Sequence, residues 1–137
     1  MITTSPDGQW AAVRNGRELV LLAGGAGAPV GRLELTSDDA DVVIVGPPAV
    51  LAVIYRGEEN KVVLHQPPYL EAVARLDLEA PLRLAAITGP RMVLVSSDHK
   101  AVTIVRAAGR ALSAQPLDPG SLVEFAVVLD RNQIVRL

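Results

Sequence analysis

Residues 41–118 carry one structural unit written twice. A tandem repeat constrains a chain more than composition does, because each copy must bury its apolar face against a neighbouring copy. The first copy reads DVVIVGPPAVLAVIYRGEENKVVLHQPPYLEAVARLDLE and the second LRLAAITGPRMVLVSSDHKAVTIVRAAGRALSAQPLD. Each opens with an apolar strand closed by Gly-Pro, at Gly46-Pro47 and at Gly89-Pro90. A second strand, a polar turn, a third strand, a loop containing Pro or Gly and a fourth strand follow. The period is roughly forty residues, which fits one four-stranded unit per copy.

A first, slightly degenerate copy precedes these two. Residues 2–5 read as a short strand entering a tight turn at Pro6-Asp7-Gly8. Residues 9–14 form a strand ended by Asn15-Gly16, a strong hairpin signal, and residues 18–23 are its return. Residues 24–29 are a loop, and residues 30–36 alternate with period two, as a half-buried strand does. Trp10 to Gly16 matches Leu51 to Gly57 in pattern, and Gly31 to Leu35 matches Ala74 to Leu78. A fourth copy opens at residues 122–129, turns at Asp130-Arg131-Asn132 and stops after its second strand. The units are 1–38, 41–80, 82–118 and a partial 121–137, all within one domain, 1–137.

The expectation is therefore an all-β chain of about three and a half four-stranded units. Strands are expected at 9–14, 18–23, 42–45, 50–55, 61–65, 72–78, 83–88, 92–96, 101–106, 111–115 and 122–129. Ala52, Ile54, Val62, Leu64, Val93, Val95, Val102 and Ile104 are the expected core. Residues 70–78 (LEAVARLDL) are rich in helix formers and admit an α/β alternative. Against it, the matching segment of the first unit contains Gly31 and that of the third contains Pro116, neither compatible with a stable helix.

Composition narrows function mainly by exclusion. Half of the residues are hydrophobic and 20% are charged, so the chain can bury a core. A net charge of -2 and 3% aromatic residues argue against a nucleic-acid surface. No apolar run approaches the ~20 residues of a membrane helix. The absence of cysteine removes disulfides, thiolate metal sites and Cys nucleophiles, and no basic-then-apolar leader opens the sequence. A cytoplasmic setting without membrane contact is expected. The mean hydropathy of +0.31 is high and points to apolar surface covered by a partner.

The strand–turn grammar, with Ser5-Pro6-Asp7-Gly8 before a strand, resembles the WD40 and related β-propeller repeats. No Trp-Asp pair ends a third strand and no Gly-His dipeptide opens a unit, so the hydrogen-bond tetrad of WD40 blades is missing and a generic propeller is what the resemblance implies. In such a blade the turn between strands two and three shares a face with the link to the next blade. That face is charged here and carries the expected interaction residues: Asp38, Asp39, Asp41, Arg56, Glu58, Glu59, Glu79, Asp98, His99, Lys100 and Asp118. The opposite face carries Gly46-Pro47-Pro48, Gly89-Pro90, Gln66-Pro67-Pro68-Tyr69 and the 24–29 loop, and is nearly uncharged.

Catalytic candidates are few. Asp38, Asp39 and Asp41 lack the spaced loop of a calcium site and read as a solvated acidic turn. Asp98-His99 reads as a hairpin turn, and His65, inside VVLH, as a satisfied buried histidine. The Gly24-Gly25-Ala26-Gly27 run lacks the Lys-Ser/Thr ending of a phosphate loop, and no serine sits in Gly-x-Ser-x-Gly. Neither a cofactor nor a metal is expected. Two readings follow: a non-catalytic scaffold for protein partners, or a propeller-type enzyme or ligand-binding domain acting at the central channel. Three and a half blades cannot close a ring, so a homodimer of about seven blades, or a different protein supplying the rest, is expected.

Overall fold

The computed structural model describes residues 1–25, 27–108 and 110–117, and within them the chain is all-β. Strands β1 (Ile2–Thr4), β2 (Trp10–Asn15), β3 (Glu18–Ala23) and β4 (Pro29–Glu34) form a first sheet. A second contains β5 (Ala40–Val45), β6 (Val50–Tyr55), β7 (Lys61–Gln66) and β8 (Glu71–Asp77). The third contains β9 (Arg83–Thr88), β10 (Arg91–Val95), β11 (Val102–Ala108) and β12 (Ala111–Leu117). In each sheet the strand order is the chain order and every pairing is antiparallel, so each is a meander. The partial fourth unit, including the strand expected at 122–129, lies outside the described residues. Among the described residues no helix is long and apolar enough to cross a membrane.

The sheets stack face to face as propeller blades do. First strands gather together, β1 against β5 and β5 against β9, while the fourth strands β8 and β12 meet on the other side. Ala12, Leu19, Leu21, Ile44, Leu51 and Val53 fill the space between the first and second sheets. Ala52, Ile54, Val62, Leu64, Met92, Leu94 and Val105 fill the space between the second and third. The second sheet is thus covered on both sides, and all six residues of β6 are buried. That is why VLAVIY reads as a continuous apolar run with no polar alternation. Each fully buried Leu or Ile here contributes about 1.5–3 kcal/mol.

Residues 70–78 are not helical. β8 pairs with β7 from Lys61↔Asp77 to Gln66↔Glu71, with one bulge between Leu64 and His65. Leu70, with φ 61°, turns the chain into that strand. The expected core needs one correction. Ala52, Ile54, Val62, Leu64, Val93 and Val102 are buried, but Val95 and Ile104 are only half-buried. Met92, Leu94, Val105 and Ala107 are the residues of β10 and β11 that meet the second sheet. MVLV is apolar at every position, so alternation could not choose the face. Val93, Val95 and Ile104 point the other way.

One backbone contact fixes how the first two sheets meet. A Cβ on Gly31 would lie 2.1 Å from the carbonyl oxygen of Pro68, in the β7–β8 turn. Only glycine lets β4 approach the second sheet so closely.

Candidate functional site

The second strands of the first two sheets both run into an arginine, and both arginines tie sheets together. Arg14, in β2, donates from Nη1 to the Ala40 carbonyl (2.6 Å) and from Nη2 to the Asp38 carbonyl (2.6 Å), fastening the link into the second sheet. Arg56 follows β6 and is 6% exposed. Its Nε donates to Asp39 Oδ1 (3.0 Å), Nη1 to Asp41 Oδ2 (2.7 Å) and to the Leu82 carbonyl (3.2 Å), and Nη2 to Asp41 Oδ1 (3.3 Å). Asp41 Oδ2 also accepts the backbone N–H of Leu84, at 2.9 Å, in β9. The second and third sheets are therefore joined by an Arg–Asp knot.

The charges in this knot are mutually fixed. Burial pushes the Asp41 carboxyl up, but hydrogen bonds from Arg56 and Leu84 and the charges of Arg56 and Arg83 outweigh it and hold the group below the usual carboxylate range. Burial likewise pushes the Arg56 guanidinium down, and the two aspartates overcome it. Arg56 and Asp41 were expected on an interaction face. The structure places Arg56 inside the stack and engages both Asp41 oxygens, so these two hold the fold and present little to a partner.

Beside the knot lies a crevice of about 490 Å³ between the first and second sheets, lined by Arg17, Thr36, Ser37, Asp39, Tyr55, Arg56, Gly57, Glu58, Glu59 and Lys61. It brings together four of the expected residues, Asp39, Arg56, Glu58 and Glu59, with Asp38 at its rim through an ion pair to Arg17 Nε (3.0 Å). Lys61 pairs with Glu59, which lowers the Glu59 carboxyl, and its ammonium lies 5.3 Å from the centre of the Tyr55 ring. The Tyr55 hydroxyl accepts the Thr36 N–H at 3.4 Å. Asp38, Asp39, Glu58 and Glu59 are exposed. Arg17, Tyr55 and Lys61 were not among the expected interaction residues, although Arg17 and Lys61 belong to the turns 15–17 and 56–61 that the sequence assigns to the charged face. Tyr55, the last residue of β6, is the one that carried no signal.

The remaining expected residues do not join the crevice. Glu79 is exposed, and Asp118 lies outside the described residues. Asp98 Oδ1 accepts the Ser96 hydroxyl (2.5 Å) and the Lys100 N–H (3.0 Å), while Ser96 Oγ accepts the Ala101 N–H (3.0 Å). The same bonds recur at the β1–β2 turn, where Asp7 Oδ1 accepts from Ser5 (2.6 Å) and Gln9 (3.0 Å) and Ser5 Oγ accepts the Trp10 N–H (3.0 Å). Both carboxyls are lowered, by their serines first. His99 takes φ 59° where the twin turn has Gly8 at φ 74°. Asp98 and His99 thus form a turn in which the carboxylate accepts from the Ser96 hydroxyl and the Lys100 backbone.

His65 is 6% exposed and its Nδ1 lies 3.0 Å from the Leu70 carbonyl. Burial pushes its pKa below the ordinary histidine value, against a smaller opposing effect of that hydrogen bond. A neutral ring with Nδ1–H donating satisfies this geometry. Among the described residues no group of three or more His, Cys, Asp or Glu is placed to hold a metal ion, and no buried side-chain polar atom lacks a hydrogen-bond partner.

Neither a protein-family model nor a curated protein sequence matches the chain. Solved structures do. A candidate 6-phosphogluconolactonase from Bacteroides fragilis superposes with a TM-score of 0.67 at 14% identity, over 86% of this chain and 38% of its own. The WD40 domain of SCAP from fission yeast superposes with a TM-score of 0.64 at 15% identity, over 89% of this chain and 32% of its own. The chain thus spans between about a third and two fifths of the length of the structures it resembles. At such identities the likeness concerns the fold alone. Three stacked four-stranded meanders, with first strands together and fourth strands opposite, are an arc of β-propeller blades.

Proposed function

We propose that this chain is a non-catalytic protein–protein interaction module, an arc of propeller blades that works as a scaffold and is completed by a second copy of itself or by a partner protein. The observation that carries this reading is the crevice beside the Arg–Asp knot. It is open, lies between blades, and gathers exposed Asp39, Glu58 and Glu59 beside Arg17 and Lys61. Mixed charge on rigidly held turns suits recognition of a polar protein surface. The groups best able to do chemistry serve the fold instead: Asp98 closes a turn, His65 is buried against a carbonyl, and Arg56 joins sheets.

The outward face of the first sheet supports the completion of the arc. Register places Ile2, Val13 and Val20 there, with Ala11 and Leu22 beside them. Ile2 is 70% exposed and the other four are half-buried. It is the kind of face that the two inter-sheet cores bury, here turned outward.

Affinity capture with tagged protein tests the partner-binding face. The partner set should be lost on Glu58→Lys with Glu59→Lys and kept on Tyr69→Ser, since Tyr69 is 74% exposed at the β7–β8 turn, among the residues assigned to the opposite face. Loss with Tyr69→Ser and retention with the double reversal would place binding on the wrong face and overturn the reading.

A further inference from the structure

Charge is unevenly divided along the arc. Residues 1–81 contain six basic and eleven acidic side chains, whereas residues 82–117 contain five basic and one acidic. The arginines follow the same division. Arg14, Arg17, Arg32, Arg56 and Arg75 each donate to a carboxylate or a carbonyl. Arg91, Arg106 and Arg110 have no such acceptor among the described residues.

Arg91 and Arg106 are direct cross-strand partners in the β10–β11 register, on the outward face of the third sheet. Like charges directly opposite each other on a sheet are unfavourable, and an anion bound beside both would offset this. Both are exposed, as are Ser113 and Gln115, which continue the row on β12. With Ile104 and Ala114 these four line a depression of about 620 Å³ that contains no acidic side chain. Elsewhere on this face Val93 and Val102 are 5% and 1% exposed, so the apolar part is covered and the open part is the basic one.

We infer that this depression is a second docking surface, separate from the crevice, and that it takes an acidic segment of a partner polypeptide. Two guanidinium forks offer bidentate bonds to carboxylates, the Ser113 hydroxyl and Gln115 amide offer further donors, and Ile104 gives an apolar floor for the methylenes of glutamate. Nucleic acid fits less well. No aromatic side chain lines the depression for bases to stack on, and the net charge of -2 repels a long polyanion.

Fluorescence anisotropy with a labelled oligoglutamate peptide and the full 137-residue chain tests this at low salt. The peptide should bind, and an oligolysine peptide should not. Arg91→Gln with Arg106→Gln should weaken binding about tenfold or more, the effect of losing a charge-assisted hydrogen bond. Gln115→Glu, which leaves both arginines in place, should weaken it too. Arg32→Gln, which removes one positive charge from the first sheet, should leave affinity unchanged, and circular dichroism confirms that each variant is folded. Absence of binding, an equal effect of Arg32→Gln, or tighter binding of a single-stranded oligonucleotide of equal charge would each overturn the inference. None of these outcomes depends on whether the crevice binds a partner, so the two surfaces stand or fall separately.

Discussion

Arg56→Ala tests the physical account of the knot. Removing one member of a buried, hydrogen-bonded ion pair costs about 3–5 kcal/mol. Arg56 has only 7% of its side chain exposed, but the Asp39 and Asp41 side chains are 59% and 32% exposed. Water can therefore take over some of the lost bonds to the carboxylates, though less readily the one to the Leu82 carbonyl. The expected loss falls to about 2–4 kcal/mol, read as a lower urea midpoint at unchanged slope. Arg56→Lys keeps the charge but not the fork, and should recover only part of the difference. The pH dependence has a definite sign. Because the folded-state carboxyl of Asp41 lies below its ordinary value, its contribution is present above about pH 4 and is lost as pH falls through the folded value. The gap between wild type and Arg56→Ala should narrow over that range. A loss below about 0.5 kcal/mol at neutral pH would show that the knot is an ordinary surface pair and refute the reasoning.

Gly31→Ala should destabilise by about 1–3 kcal/mol, because the new methyl meets the Pro68 carbonyl, and calorimetry should show a lower Tm. His99→Gly should stabilise by about 0.5–1 kcal/mol in urea unfolding, since glycine removes the cost of a positive φ at the position where the twin turn has Gly8. His65 has a folded pKa below its ordinary value of about 6.5, so stability should fall as pH drops below that point; His65→Gln should flatten this part of the stability–pH curve.

The repeat made the sheets legible because Asn-Gly punctuates the first and Gly-Pro the second and third, and turn chemistry is local. Burial on both sides of the second sheet was less so. VLAVIY is apolar throughout, and only stacking shows that Leu51 and Val53 face one neighbour while Ala52 and Ile54 face the other. The same uniformity in MVLV hid the choice between Met92 and Val95. The charged face was legible as a set of turns, but not the division of labour within it. Arg56 and Glu58 are two residues apart in one turn, yet one is buried and the other exposed. That difference depends on Asp41 and Leu82, 15 and 26 residues away. The Ser-x-Asp bonds of the two twin turns could have been found from Ser5-Pro6-Asp7 and Ser96-Ser97-Asp98, since side-chain capping of a turn follows spacing.

The claim that these blades are an arc needing completion is tested most directly by the mass of the protein in solution. Light scattering on a size-exclusion column at micromolar concentration should give about twice the 14.4 kDa chain mass, as a second copy covers the outward face bearing Ile2, Val13 and Val20. Val13→Glu should return the mass to that of one chain. A stable, fully folded wild-type monomer that binds no further chain would contradict it.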